Sequence, residues 1–206
     1  MPGSTPIAII DFETTGTSPE QGDRPTEVAI VLTDGHAVVD RFQSLMNPGV
    51  RIPAFITQLT GITNAMVQAA PPVAQVMQDA ARFVGNSPMV AHNASFDRKY
   101  WQAELQRLGL PATHPFACTV LLARRLLPSA PNHQLGTLVR HLGLPCTGRA
   151  HRALADAEMT AELLHHLLAL LRTRHGLPAP DHALLLRLQT VGKAAVPSWL
   201  QRQLLL

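Results

Sequence analysis

Ile7-Ala-Ile-Ile-Asp-Phe-Glu-Thr-Thr-Gly16 is an apolar run that ends in two acids. Such a run predicts a buried strand with a charged tip. Side chains on a strand alternate between faces, so Asp11 and Glu13 project to one side and Phe12 to the other. Two carboxylates then crowd one spot. Like charges held that close raise one another's pKa or recruit a cation, and hard oxygen ligands suit Mg²⁺ or Mn²⁺. The remainder of the chain has to supply the groups that complete such a site.

The chain has 206 residues, the size of one α/β domain with a surplus at one end. Hydrophobic residues make up 46% of it, yet no run approaches the length of a membrane span, so no membrane association is expected. Met1 to Pro6 carries no basic segment and is followed by only a short apolar run, which is no secretory signal. Cys118 and Cys146 lie far apart and outside any CxxC spacing, which predicts reduced thiols and no zinc site. A cytoplasmic protein is expected. Charge divides at Asp97: four Lys/Arg against nine Asp/Glu up to that residue, thirteen against five beyond it. An acidic cluster beside a basic surface is what a metal site acting on a polyanion requires.

Along the chain, Thr17 to Thr26 holds Pro19, Gly22 and Pro25 and predicts a loop. Glu27 to Thr33 predicts a second strand, Asp34-Gly35 a hairpin turn, and His36 to Leu45 the returning strand. Ala54 to Ala70 predicts one or two short helices broken near Gly61, and Val73 to Val84 an amphipathic helix. Met89 to Ala91 is a short buried strand that stops at His92-Asn93. Helices are predicted at Ala94 to Leu108, Thr119 to Leu127, Gln134 to Leu142 and, longest of all, Ala153 to Arg174, with Thr147 to Arg152 a glycine-containing loop before the last. A strand meander followed by helices and a further strand predicts a mixed α/β sheet covered by helices. Residues 1–175 are expected to form the domain. Residues 176–206 form a helical appendage in two pieces, split around Gly192 and Pro197, whose leucines are expected to pack back on the domain.

Asp97 stands at the start of a helix that leaves a strand end, where α/β sheets place ligand-binding residues. Asp156 sits in the first turn of the longest helix. Asp11, Glu13, Asp97 and Asp156 can therefore converge, and four acids in one place call for metal. Two divalent ions in that cage suit phosphoryl transfer. His151, five residues before Asp156, would lie about 140° from it if both were helical, so it belongs in the loop beside Gly148, free to swing toward the reacting water. An imidazole titrates near neutrality, which suits a general base. The other nine histidines are expected to be surface or satisfied residues.

Asp11-Phe-Glu-Thr-Thr-Gly16, His92-Asn-Ala-Ser-Phe-Asp97 and His151-Arg-Ala-Leu-Ala-Asp-Ala157 resemble, in order and spacing, the three motifs of the DEDDh exonuclease family, in particular the proofreading ε-subunit type of bacterial DNA polymerase III. The resemblance covers Ile7 to Arg174. It implies an RNase H-like fold, with a mixed five-stranded sheet of three antiparallel strands plus parallel strands flanked by helices. It also implies Mg²⁺- or Mn²⁺-dependent 3′→5′ release of nucleoside 5′-monophosphates, with two cations held by Asp11, Glu13, Asp97 and Asp156 and with His151 as base. Thr14, Thr15, Gly16, Thr60, Asn93 and Phe96 are implied to flank the terminal nucleotide. One departure matters: many relatives carry Leu or Met directly after the glycine of the first motif as a wedge between bases, and here that residue is Thr17. With 4% aromatics and no platform for a long single strand, contacts beyond the end are expected to be to phosphate.

The substrate expected is a single-stranded or frayed DNA 3′ end, with a DNA polymerase subunit as a possible partner. An RNA-trimming enzyme is the alternative within the same chemistry, and a non-catalytic polymerase accessory the alternative outside it. The terminal Gln203-Leu-Leu-Leu206 lacks the aromatic of sliding-clamp peptides, so clamp binding is not expected.

Overall fold

In the computed structural model, which describes residues 5–146 and 151–205, the opening apolar run is the middle strand of a five-stranded sheet. The strands are β1 (Ile7–Thr14), β2 (Pro25–Thr33), β3 (Val38–Leu45), β4 (Met89–Ala91) and β5 (Phe116–Cys118), in the order β3-β2-β1-β4-β5. β1, β2 and β3 form an antiparallel meander, while β4 and β5 run parallel to β1. The helices are α1 (Ala54–Thr60), α2 (Asn64–Gln68), α3 (Val73–Val84), α4 (Ser95–Arg107), α5 (Thr119–Leu126), α6 (Leu135–Leu142), α7 (Ala153–Thr173), α8 (His182–Leu188) and α9 (Val196–Gln203).

Alternation along β1 sorts the core into two layers. Ile9 packs with Ala29, Val31 and Val90 on the side covered by α7, through Ala157, Ala161, Leu164 and Leu168. Ala8, Ile10 and Phe12 pack on the opposite side with Val76 and Met77 of α3 and Tyr100 and Trp101 of α4. Asp11 and Glu13 share the parity of Ile9, so they emerge on the α7 side just where the strand runs out. Small residues at Ala153, Ala157 and Ala161 let the start of α7 lie close to the sheet. That brings the first turn of α7 to the tip of β1.

The fifth strand has no counterpart in the residue-by-residue reading, which passes from Pro111 to a helix at Thr119. Phe116–Cys118 is three residues long, too short to display a period of two, and pairs only with β4. Its outer edge is covered by a side chain: the Gln189 amide accepts from the Cys118 N–H at 2.7 Å and donates to the Phe116 carbonyl at 3.2 Å. His182 donates from Nε2 to the Met89 carbonyl at 2.8 Å. Leu184, Leu185, Leu188, Val196 and Leu200 of residues 176–206 join the same core as α7. Pro197 lies inside the first turn of α9, where a missing N–H costs nothing, so the break in that segment falls at Gly192 alone. The returning strand starts at Val38, two residues later than predicted. Among the described residues no helix is long and apolar enough to cross a membrane.

Candidate active site

Three chain segments end at one point: the C-terminal tip of β1, the start of α4 and the start of α7. Asp97 is the third residue of α4, 2% exposed, and its Oδ1 accepts from the Phe12 N–H at 3.1 Å. That bond ties α4 to the strand between the two acids of β1. Asp156 is in the first turn of α7, and its Oδ2 accepts from the His151 N–H at 2.9 Å. Ligand atoms of Glu13, His151 and Asp156 all lie within 4.8 Å of one another.

The electrostatics are those of a crowded acid cluster. Burial, then the charges of Asp97, Glu13 and Asp156, push Asp11 well above the usual carboxylate range. Glu13 is pushed up to about 8 by burial and by Asp156, Glu27 and Asp97. Burial raises Asp97 to about 7 against the opposing hydrogen bond from Phe12. Burial raises Asp156 as well, opposed by the His151 N–H. Four acids so placed cannot all be ionised near neutrality without a compensating cation. The donor set of carboxylate oxygens and one imidazole fits hard divalent ions.

Among the described non-glycine residues, only Asn93 and His151 have positive φ, at 65° and 62°. Both are at this site. His92, by contrast, has both ring nitrogens engaged, with Thr119 Oγ1 at 2.9 Å and the His133 carbonyl at 3.1 Å, and burial pushes it down to about 4. It serves as a neutral strut between β4, α5 and the loop before α6.

The acids line a cavity of about 290 Å³ together with Ile56, Leu59 and Thr60 of α1. A longer groove of about 1000 Å³ leads from Asp11, His151 and Asp156 between α5, α6 and the start of α7, with Arg124 and Arg140 along it. The family model for exonucleases of the RNase T type matches residues 8–164. The chain belongs to the exonuclease family. The exonuclease is 43% identical over 162 residues, 78% of its length, to the PolC-type DNA polymerase III of Oceanobacillus iheyensis. It is 37% identical over 184 residues, 88% of its length, to the 3′-5′ exonuclease DinG of Bacillus subtilis. It spans only 11% of the first and 19% of the second. Among solved structures, Exonuclease X in complex with 5′-overhanging duplex DNA is 32% identical with a TM-score of 0.67, covering 87% of this chain and 99% of that one. The nuclease domain of 3′hExo, a DEDDh family member, matches in fold at 23% identity and a TM-score of 0.68, covering 80% and 92%.

Of the residues expected around the terminal nucleotide, Thr14, Gly16, Thr60, Asn93 and Phe96 line the cavity of the exonuclease. Thr15 does not: it is 3% exposed, and its hydroxyl accepts from the Arg24 N–H at 3.0 Å, closing the loop after β1. Thr15 follows the last residue of β1, and its N–H also donates to the Arg24 carbonyl at 2.9 Å, so it is turned into the loop. The Thr60 hydroxyl is also spent internally, donating to the Ile56 carbonyl and accepting from the Ile62 N–H, both at 3.0 Å. Gly16 has a steric reason, since a Cβ there would meet the Asp23 carboxylate at 2.3 Å. Thr17 is exposed, and Leu59 (48% exposed) supplies apolar surface to the same cavity. Leu59 was legible only as the neighbour of Thr60. Tyr100, whose hydroxyl donates to the Gly16 carbonyl at 2.9 Å, and Arg24, bidentate on buried Glu104, hold the loop after β1 and carry no local signal of doing so. Gly148, beside which His151 was expected to move, lies outside the described residues.

Proposed function

We propose that the exonuclease removes nucleoside 5′-monophosphates in the 3′→5′ direction from single-stranded or frayed DNA ends, using Mg²⁺ or Mn²⁺. The observation that carries this reading is the convergence of Asp11, Glu13, Asp97, Asp156 and His151 on the junction between a nucleotide-sized cavity and an Arg-lined groove. In this reading the terminal nucleoside occupies the cavity, the scissile phosphate lies at the acids, and the strand runs out along Arg124 and Arg140. Divalent cations held by Asp11, Glu13, Asp97 and Asp156 would supply the Lewis acidity that phosphodiester hydrolysis requires. His151 takes a proton from the attacking water. Its own N–H is committed to Asp156, so its ring is carried on a fixed backbone. Gly16 and Leu59 close on the sugar and base. DNA as substrate is supported by the family shared with a polymerase III chain and with a DNA-bound exonuclease. That kinship also supports a place beside a DNA polymerase, as subunit or fused domain.

The test is a ladder assay on a 5′-labelled DNA strand and its RNA twin, with Mg²⁺ or Mn²⁺, against EDTA, Asp156→Asn and His151→Ala. A metal-dependent ladder that shortens from the 3′ end, is faster on DNA and is lost in the three controls is expected. A fully active Asp156→Asn protein would refute the site, and faster RNA decay would reassign the substrate.

A further inference from the structure

Glu27 lies opposite Glu13 in the β1–β2 ladder, is fully buried, and lines neither the cavity nor the groove. Each of its oxygens accepts two hydrogen bonds. Oε1 takes Arg152 Nη2 at 2.8 Å and Gln43 Nε2 at 2.9 Å. Oε2 takes Arg152 Nε and the Ala153 N–H, both at 3.1 Å. A buried carboxylate with this saturation contributes little net stability compared with an apolar residue of the same volume, so its consequence is sought in geometry. Arg152 and Ala153 are the two residues after His151. His151 itself sits at φ 62°, a left-handed conformation that is disfavoured in a non-glycine residue and persists where neighbours hold it. On one side its N–H is tied to Asp156. On the other, the bidentate Arg152 pair and the Ala153 N–H pin the chain to the sheet.

We propose that Glu27 is the positioning residue for His151: its clamp on Arg152 and Ala153 fixes the start of α7 and so holds the imidazole beside Glu13 and Asp156. The clamp reaches over 125 residues of sequence and joins the strand next to the acid-bearing β1 to the base-bearing turn. This inference rests on His151 acting as the base.

The experiment is a kinetic double-mutant cycle on the full chain with Mn²⁺, using Glu27→Gln, His151→Ala and the pair on one end-labelled DNA strand. Glu27→Gln is expected to lower kcat about 10- to 100-fold, as supporting residues around metal sites do, with KM changed less than about twofold. In the His151→Ala background the same substitution is expected to cost nothing further, because the group it positions is gone. Arg152→Met, which alters the solvent-facing partner, should reproduce the pattern and replaces Glu27→Gln if that protein does not fold. An equal loss from Glu27→Gln in both backgrounds, or wild-type kcat in folded Glu27→Gln, overturns the positioning role. Wild-type kcat in His151→Ala overturns the base assignment instead, and the inference with it.

Discussion

Glu13→Gln should stabilise the metal-free protein, and the size of the effect follows from the crowding at the tip of β1. The ordinary glutamate value is near 4.5, and in the fold burial and its neighbours Asp156, Glu27 and Asp97 push Glu13 to about 8. Below pH 4.5 folded and unfolded chains both hold this proton. Between 4.5 and about 8 the folded chain keeps it and the unfolded chain releases it. The unfolded state then binds fewer protons, so stability falls as pH rises through that window. At pH 7 the gap of about 2.5 units corresponds to about 3.4 kcal/mol at roughly 1.4 kcal/mol per unit. Water in the cavity screens part of this, leaving about 2 kcal/mol. For a chain of this size that is a rise in Tm of about 4–8 °C for the Gln protein at pH 7 in EDTA, shrinking toward zero at pH 4.5. Calorimetry at both pH values reads it directly. Adding Mn²⁺ should raise the wild-type Tm more than that of Glu13→Gln, because the ion binds the folded state through the carboxylate that the variant lacks. Equal Tm values in EDTA at pH 7, or a less stable Gln protein, would refute the crowding argument.

If Arg124 and Arg140 meet substrate phosphates along the groove, replacing either with Ala should lower the slope of log affinity against log salt by about 1, measured with a DNA strand in the presence of a non-supporting cation; an unchanged slope would remove that arginine from the strand path. Gln189→Leu leaves the Cys118 N–H and the Phe116 carbonyl without the partners they have now. Urea unfolding should show a loss of about 2 kcal/mol, and a loss below about 0.5 kcal/mol would mean that water replaces the amide.

The residues that meet at the tip of β1 were legible because each sits in a short segment with its own signal. Asp11 and Glu13 end an apolar run, Asp97 and Asp156 start helices, and their spacing to His92 and His151 marks the motifs. What could not be read is what holds those segments together. Glu27 looks like the first residue of a strand, and nothing local tells that Arg152 closes on it. Glu104 looks like a helix surface acid, yet it is 2% exposed and clamps Arg24 and Arg107. Such pairings depend on which strands become neighbours, and local periodicity is silent on that. β5 failed for a different reason: three residues carry too few alternations to declare a strand, and its role becomes evident only once Gln189 is seen covering its edge. Thr15 was placed at the cavity by the family resemblance alone, and nothing local tells that its hydroxyl closes on the Arg24 N–H instead.

The two left-handed residues show how local strain and the acid cluster are one design problem. Asn93 lies between β4 and α4, and His151 lies two residues before α7, so each takes the left-handed conformation just before a helix whose first turn carries an acid. Asn93 tolerates the conformation because asparagine is among the residues least penalised there, and its carbonyl accepts from the Phe96 N–H at 2.9 Å to start the helix. The backbone at His151 is braced by Asp156 in the first turn of the helix and, through Ala153, by Glu27 of the sheet. The consequence is an ordering among substitutions. A change at Asn93 to a β-branched residue should disturb the placement of Asp97 through the turn itself, whereas a change at Glu27 should disturb His151 while leaving Asp97 and its bond to Phe12 in place, because Glu27 bonds Arg152 and Ala153 and the Asp97 carboxylate bonds Phe12.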